Sequence, residues 1–128
     1  MKSKNEKAKR IQNIYSLTPL QEGMLFHHLA DPKSSGYILQ DCYLVNSELD
    51  TKLIRDALDL LSMKHDVLRT AILYEKLKEP KQVVHKERKI EFTIEDLSNY
   101  GKEEQKRMTD TIISDDLKRG FNLQKDTL

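Results

Sequence analysis

The sequence predicts an α+β fold in which helices flank a mixed sheet. Short runs rich in β-branched, aromatic and aliphatic residues alternate with longer stretches whose apolar residues recur at helical spacing. Their order is strand, helix, strand, helix and then a meander of strands, which is typical of α+β proteins. The chain of 128 residues is long enough for one domain and too short for two of ordinary size. We therefore treat it as a single unit.

The first helix follows the end of a strand, and its start is clear from the sequence. Thr18 is a good N-cap, Pro19 suits the first helical position, and Gln21 is placed to complete a capping box with Thr18. Asp31 and Pro32 end the helix. One side of it carries apolar or partly apolar residues at helical spacing: Leu20, Met24, Leu25, His28 and Leu29.

The middle of the chain predicts a strand and a second helix. Residues 37–45 are aliphatic, aromatic and β-branched without a helical period, which favours a strand. Cys42 lies in this run and is the only cysteine, so we expect a buried thiol and no disulfide. Asp50 is the N-cap of the second helix, whose broad apolar face consists of Leu53, Ile54, Ala57, Leu58 and Leu61.

The second half of the chain predicts three more strands and a last helix. The strands are residues 67–74, 82–84 and 90–94, the last because apolar and polar residues alternate there. Residues 102–118 have a narrow apolar stripe on a charged background, so we expect a helix on the surface that ends at Gly120.

Charge and hydropathy exclude several classes of partner. The chain has 22 Lys and Arg against 21 Asp and Glu, a net charge of +1, so no overall field attracts nucleic acid or an anionic membrane. No apolar run approaches the ~20 residues of a membrane span, and the start lacks a secretory signal. We expect a cytoplasmic protein. The basic beginning is interpreted as a solvated terminus, with Lys2, Lys4, Lys7, Lys9 and Arg10 facing only Glu6.

Residue types that carry chemistry are sparse. Neither Cys42 nor any serine has a general base at a sequence position that would indicate a catalytic nucleophile. The four glycines stand singly and cannot form a phosphate-binding loop. His27 and His28 are adjacent on a helix and point about 100° apart, so they cannot share a metal ion. The residues predict no catalytic group, no metal site and no bound cofactor.

Two stretches resemble the motifs of one protein family. Residues 14–27, IYSLTPLQEGMLFH, resemble the opening motif of condensation domains of nonribosomal peptide synthetases, which join amino acids carried as thioesters on carrier proteins. Residues 64–70, KHDVLRT, resemble that family's next motif, Arg-His-Glu-x-Leu-Arg-Thr, with Lys64 and Asp66 as conservative departures. The resemblance continues through residues 80–84 and 120–123 to the last residue. Two matches in the right order are more specific than either alone.

The resemblance implies a fold and locates the chemistry. Family members look like chloramphenicol acetyltransferase, with two lobes forming a V, and this chain is similar to the first part of the first lobe. The family's catalytic His-His-x-x-x-Asp-Gly motif comes after the next strand pair, and it does not occur in these residues. His27, His28 and Asp31 imitate it superficially, but the aspartate comes one residue early and no glycine follows. We expect the 128-residue chain to be inactive alone.

The second motif is expected to be structural. An arginine on an apolar strand must reach water or find a carboxylate, and the resemblance implies that Arg69 forms an internal ion pair or hydrogen-bond anchor beneath the active site. A substrate-binding role is the alternative, and Arg69 would be unpaired if its partner lay after residue 128. The expected structural residues of the motif are His65, Leu68, Arg69 and Thr70, and His85 is expected to be structural as well.

The first motif also resembles a docking segment. It matches the core of the communication-mediating acceptor domain, Leu-Thr/Ser-Pro-x-Gln-Glu-Gly, which receives the C-terminal amphipathic helix of an upstream synthetase. We expect residues 1–25 to dock and residues 26–128 to form the first-lobe strands and helices. Helix-in-groove docking needs an apolar floor with charged edges, and the basic residues would meet an acidic helix. The expected docking residues are Leu17, Thr18, Pro19, Leu20, Gln21, Glu22, Gly23, Lys7, Lys9 and Arg10.

The resemblance also implies partners and leaves alternatives open. The partners would be peptidyl and aminoacyl carrier proteins, which bear the phosphopantetheine cofactor, in the biosynthesis of an antibiotic or another secondary metabolite. If Met1 is the native start, the donor acyl group arrives from another polypeptide. The alternatives are a starter domain that takes a fatty acyl group, an epimerization domain, an unrelated small α+β domain, and a first motif that is only a capped helix start.

Overall fold

The computed structural model describes residues 10–32 and 34–127. The α+β class is confirmed. The elements are β1 (Ile11–Ser16), α1 (Pro19–Ala30), α2 (Thr51–Lys64), a 3-10 helix (Asp66–Arg69), β2 (Thr70–Leu73), β3 (Lys81–His85) and α3 (Lys102–Arg119). Within the described residues, no helix is both long and apolar enough to cross a membrane.

The sheet has three strands in the order β1-β3-β2. Both pairings are antiparallel, so the predicted mixed sheet is wrong for the part of the chain that the structure describes. The physical reason is the short connection between β2 and β3, which forces a hairpin, whereas a parallel pair needs a long crossover. In the hairpin connection Lys76 has a φ of 60°, which is uncommon for a residue with a side chain.

The strand predictions have mixed outcomes. Residues 82–84 lie in β3 as predicted, but residues 67–74 begin with the 3-10 helix and become a strand only at Thr70. Residues 37–45 and 90–94 form no strand, so those predictions are wrong. Strand propensity alone does not produce a ladder, because a strand needs a neighbour for its backbone hydrogen bonds. Cys42 is exposed, so its predicted burial is wrong too.

The predicted helix boundaries are confirmed. Thr18 Oγ1 accepts from the Gln21 backbone N–H at 3.3 Å, and Gln21 Oε1 accepts from the Thr18 N–H at 2.8 Å, which completes the capping box of α1. Asp50 Oδ1 accepts from the first backbone N–H groups of α2. Gly120 ends α3 with a φ of 58° and a ψ of −155°, a conformation that favours glycine.

The core lies between α1, β2 and the residues that follow α3. Leu17, Leu25 and Ile72 form a buried cluster, and Tyr74 and Leu123 pack against it. The predicted apolar face of α1 is only partly buried, because Leu25 alone among its residues is fully enclosed. The exposed members of that face are Leu20, Met24 and Leu29.

Candidate functional site

Arg69 is the centre of the most densely bonded cluster in the second motif. It ends the 3-10 helix, and only 5% of its surface is exposed. Its Nη2 donates to Asp66 Oδ1 at 2.5 Å, and the Asp66 side chain is about half exposed. Every nitrogen of the guanidinium has an acceptor. Nε donates to Ser62 O at 2.6 Å, and Nη2 also donates to Met63 O at 3.3 Å. Nη1 donates to Gln12 Oε1 at 2.9 Å, to His85 O at 2.5 Å and to Lys86 O at 3.3 Å.

This geometry explains how a cation can lie inside the protein. A buried charge is costly unless hydrogen bonds replace its hydration shell, and Arg69 has four backbone carbonyls and two side chains for that purpose. The acceptors come from the end of α2, from β1, from the end of β3 and from the 3-10 helix. The guanidinium therefore joins four elements through one side chain.

The other second-motif residues shape the backbone around Arg69. His65 is the C-cap of α2, and its backbone oxygen accepts from Leu68 N at 3.1 Å. Thr70 is buried, and its Oγ1 donates to Asp66 O at 2.8 Å. His65 itself is exposed and Leu68 is half-buried. Three of the four predicted residues thus lie in the turn that leads from α2 into β2, and Thr70 is the first residue of β2.

A second buried linkage runs beside the first. Ser62 is 2% exposed, and its hydroxyl donates to the backbone oxygen of Arg88. Arg88 Nη1 in turn donates to Thr70 O at 3.1 Å, and Nη2 donates to Lys125 O. Burial lowers the pKa of Arg88, and the nearby Asp126 carboxylate opposes that shift. The residues after β3 are thereby fixed to α2, to β2 and to the C-terminal stretch.

Sequence reasoning did not identify Ser62, Gln12 or Arg88. A signal for Ser62 existed, because it lies one helical turn after Leu58 on the apolar side of α2, where a polar residue needs a partner. Gln12 had no such signal. The register of β1 against β3 shifts between Ile11 and Asn13, and this irregularity turns Gln12 toward Arg69.

The first motif divides into a buried part and an exposed part. Leu17 lies in the core, and Gln21 is half-buried with its side chain hydrogen-bonded to Gln82. Residues of the motif that remain exposed are Thr18, Pro19, Leu20, Glu22 and Gly23. Leu17 therefore packs in the core of this structure, and its role in docking stays a prediction.

The basic residues predicted to dock have only one described member. Lys7 and Lys9 lie outside the described residues. Arg10 is exposed and lies at the start of β1, where its backbone oxygen accepts from Lys86 N at 2.8 Å. Its side chain is therefore available to a partner at the end of the sheet opposite to the start of α1.

Comparison with known proteins decides the family. The family model of the condensation domain matches residues 11–128, which contain both motifs. The chain belongs to the condensation-domain family. It is 38% identical over 120 residues to surfactin synthase subunit 2 of Bacillus subtilis (strain 168), covering 94% of this chain and 3% of the relative. It is 34% identical over 122 residues to gramicidin S synthase 2 of Brevibacillus brevis, covering 95% of this chain and 3% of the relative.

A third relative gives a similar result. The identity to tyrocidine synthase 2 of Brevibacillus parabrevis is 41% over 119 residues, which is 93% of this chain and 3% of the relative. The condensation-domain chain thus spans only a few per cent of the length of the curated relatives that it matches. Condensation domains of such synthetases work together with carrier proteins.

Two histidines of this condensation-domain chain lie in different surroundings. The His27 ring contacts Phe26 at 5.6 Å and Tyr37 at 6.0 Å between ring centroids. His85 is partly enclosed at the end of β3, where burial and the positive charge of Arg88 lower its pKa. Among residues 10–32 and 34–127, no three His, Cys, Asp or Glu side chains are grouped closely enough to hold a metal ion.

An apolar groove lies beside α1 in this condensation-domain chain. It has a volume of about 570 Å³ and lies between α1, residues 37–39, β2 and the residues after α3. Leu25, Ile72 and Leu123 contribute its apolar lining. No local sequence pattern indicates this groove, because it depends on which elements remain unpaired in three dimensions.

Proposed function

We propose that this chain is the N-terminal part of a condensation domain that joins an upstream aminoacyl or peptidyl thioester to a downstream aminoacyl amine. The observation that carries this proposal is the family match over residues 11–128, which includes both motifs in order. The network around Arg69 supports it, because the second motif forms a rigid junction of four elements and offers no chemistry of its own.

The names of the relatives support the class of product. They are synthases of surfactin, gramicidin S and tyrocidine. We infer that the protein containing this chain takes part in the biosynthesis of a peptide antibiotic or a similar secondary metabolite. Its acyl substrates would arrive on the phosphopantetheine arms of peptidyl and aminoacyl carrier proteins, so the chain itself binds no cofactor.

The role that we propose for these 128 residues within that reaction is binding and support. They contain no His-His-x-x-x-Asp-Gly sequence, and the only adjacent histidines lie on α1 with one ring against Phe26 and Tyr37. Amide-bond formation needs a group that contacts the reacting atoms, and we place that group outside this chain. The chain therefore supplies part of a scaffold and a surface for an upstream subunit.

We propose that the docking surface consists of the exposed first-motif residues and the basic residues before β1. Thr18, Pro19, Leu20 and Glu22 present apolar and polar groups at the start of α1, and Arg10 adds a positive charge at the opposite end of β1, so a partner helix would lie along this strand. This combination suits an amphipathic helix with an acidic edge. The partner would be the C-terminal helix of an upstream synthetase.

The condensation assay uses the synthetase that contains this chain. Donor and acceptor carrier proteins are loaded with their amino acids and mixed with the synthetase, and dipeptidyl thioester is measured by mass spectrometry. We expect product that depends on both loaded carriers. Loaded carriers without product would contradict the proposed reaction.

A further inference from the structure

One wall of the apolar groove beside α1 belongs to residues 37–45, whose two sides have different surroundings. Ile38 lies against the end of α3, because its Cδ1 is 3.4 Å from the position that a Cβ on Gly120 would take. The Gln40 side chain donates to a backbone oxygen of α3 at 3.1 Å. Leu39, between these two residues, lines the groove and is 94% exposed. The side chains therefore alternate as they do in an extended chain with one packed side.

The backbone of this segment is open. Within the part of the chain that the structure describes, residues 39–45 make no backbone–backbone hydrogen bond. Asp41 is the only charged residue among them, and Tyr43 and Leu44 are exposed. Backbone groups without a partner bind water or pair with another chain segment, and a nearly uncharged edge favours such pairing. The combination of an open backbone and an apolar groove suits the addition of a strand.

The lining of the groove indicates the chemistry of its occupant. Leu25, Ile72 and Leu123 contribute apolar surface. The charged lining residues are Lys118 and Arg119, and each has a carboxylate of α3 within reach, at 3.5 Å for Lys118 and 3.3 Å for Arg119. The groove therefore offers little uncompensated charge, and it selects an apolar occupant over an ionic one.

The other predicted strand that stays unpaired does not supply this occupant. Residues 90–94 are held beside α2, where Arg55 Nη2 donates to Phe92 O at 3.0 Å and the guanidinium lies 5.0 Å from the Phe92 ring centre. The chain spans only 3% of surfactin synthase subunit 2 and of tyrocidine synthase 2. A synthetase of that kind has many segments outside the matched residues.

We propose that the groove and the open backbone of residues 39–45 form the interface for an extended apolar segment of the synthetase, one that lies outside these 128 residues. This inference rests on the proposed function, in which the chain is one part of a condensation domain. The added segment pairs with residues 39–45 through backbone hydrogen bonds and places alternate side chains in the groove.

Hydrogen exchange compares the 128-residue chain with the intact synthetase. In the intact synthetase, the amides of residues 39–45 are expected to exchange at least about a hundredfold more slowly than in the chain alone. Leu39→Asp places a charge in the wall of the groove, so it should speed this exchange at least about tenfold in the intact synthetase. The same substitution should leave exchange in the chain alone unchanged, because Leu39 is already exposed there.

Leu60→Asp is the matched control. Leu60 is an exposed leucine of α2 that does not line the groove, so exchange of residues 39–45 should match wild type in that variant. Equal exchange of these residues in the chain and in the intact synthetase would overturn the proposal. Slowing in the chain alone that grows with its concentration would overturn it too, because a second copy would then be the occupant. A synthetase that forms no dipeptide contradicts the proposed function, whereas the exchange comparison decides the interface.

Discussion

The Nε of Arg69 donates to the backbone oxygen of Ser62 at 2.6 Å, so a buried cation joins the last turn of α2 to the residue just before β2. Ser62 uses its hydroxyl in turn to hold the backbone of Arg88. The backbone from α2 through the second motif into β2 is therefore held by two contacts, one from the Arg69 side chain and one from the Ser62 hydroxyl.

Replacing Arg69 with lysine tests this junction. Lysine keeps the charge but has one nitrogen, which cannot reach acceptors on four elements at once. We expect Arg69→Lys to lower the free energy of unfolding by about 3 kcal/mol, measured by urea denaturation. Arg107→Lys on the surface of α3 is the matched control, because its exposed ion pair with Glu104 contributes less than about 1 kcal/mol. Equal losses in both variants would contradict the role of Arg69.

Two glycine-to-alanine substitutions should change the stability of the protein in opposite directions. Gly120 has a φ of 58°, and a Cβ there would meet Ile38 Cδ1 at 3.4 Å, so Gly120→Ala should destabilise the protein by about 1–3 kcal/mol. Gly23 lies inside α1, and no atom lies within 4 Å of the position that a Cβ would take, so Gly23→Ala should stabilise the protein by about 0.5–1 kcal/mol. Thermal unfolding of both variants provides the comparison, and a stabilising Gly120→Ala would refute the first expectation.

Acid should destabilise the protein through His85. Burial and the charge of Arg88 lower the pKa of His85 below its ordinary value of 6.5 in the folded protein. The unfolded chain then binds the proton more readily, so stability falls as pH drops below about 6.5 and levels off below the folded pKa. We expect His85→Gln to reduce the loss of thermal stability between pH 7.5 and pH 5.5. An unchanged pH dependence of stability in this variant would show that His85 does not cause the loss of stability in acid.

The basic residues before β1 should control association with the upstream partner. Reversing Lys7, Lys9 and Arg10 to glutamate should slow binding of the upstream C-terminal helix and reduce its salt sensitivity, with the fold intact. Wild type should bind with micromolar or weaker affinity, about 8 kcal/mol or less. Titration of a labelled donor peptide at low and high salt measures both effects.

A variant of α3 with the same charge change provides the control for docking. It reverses Lys102, Lys106 and Arg107, which are exposed in the first half of α3 and belong to neither motif, and it should bind as wild type does. Unchanged binding in the triple variant before β1 would exclude the basic segment from the interface. If wild type binds no cognate donor helix, the first motif is a helix cap alone.

Local signals predicted the helices well. The capping residues Thr18 and Asp50 and the terminating Gly120 act through backbone groups within a few positions, so their effects can be read from neighbouring residues. The strand at residues 82–84 was also predictable. It is buried between β1 and β2, and its apolar residues match that environment.

The remaining errors concern pairing over long distances. Residues 37–45 have the composition of a strand but remain unpaired, and Leu44 within them is 92% exposed. The composition of a segment does not determine whether another strand will pair with it. The cluster around Arg69 shows the same limit, because a family motif suggested a buried arginine, whereas its contact with Gln12 depends on a bulge in another strand.

The most direct test of the central claim compares the 128-residue chain with the synthetase that contains it, using the same loaded donor and acceptor carriers. Dipeptidyl thioester is quantified by mass spectrometry against a control without protein. The intact synthetase should form product, and the 128-residue chain should form none above the control, because we place the group that contacts the reacting atoms outside this chain. Product from the chain alone, or none from the intact synthetase, would contradict the account.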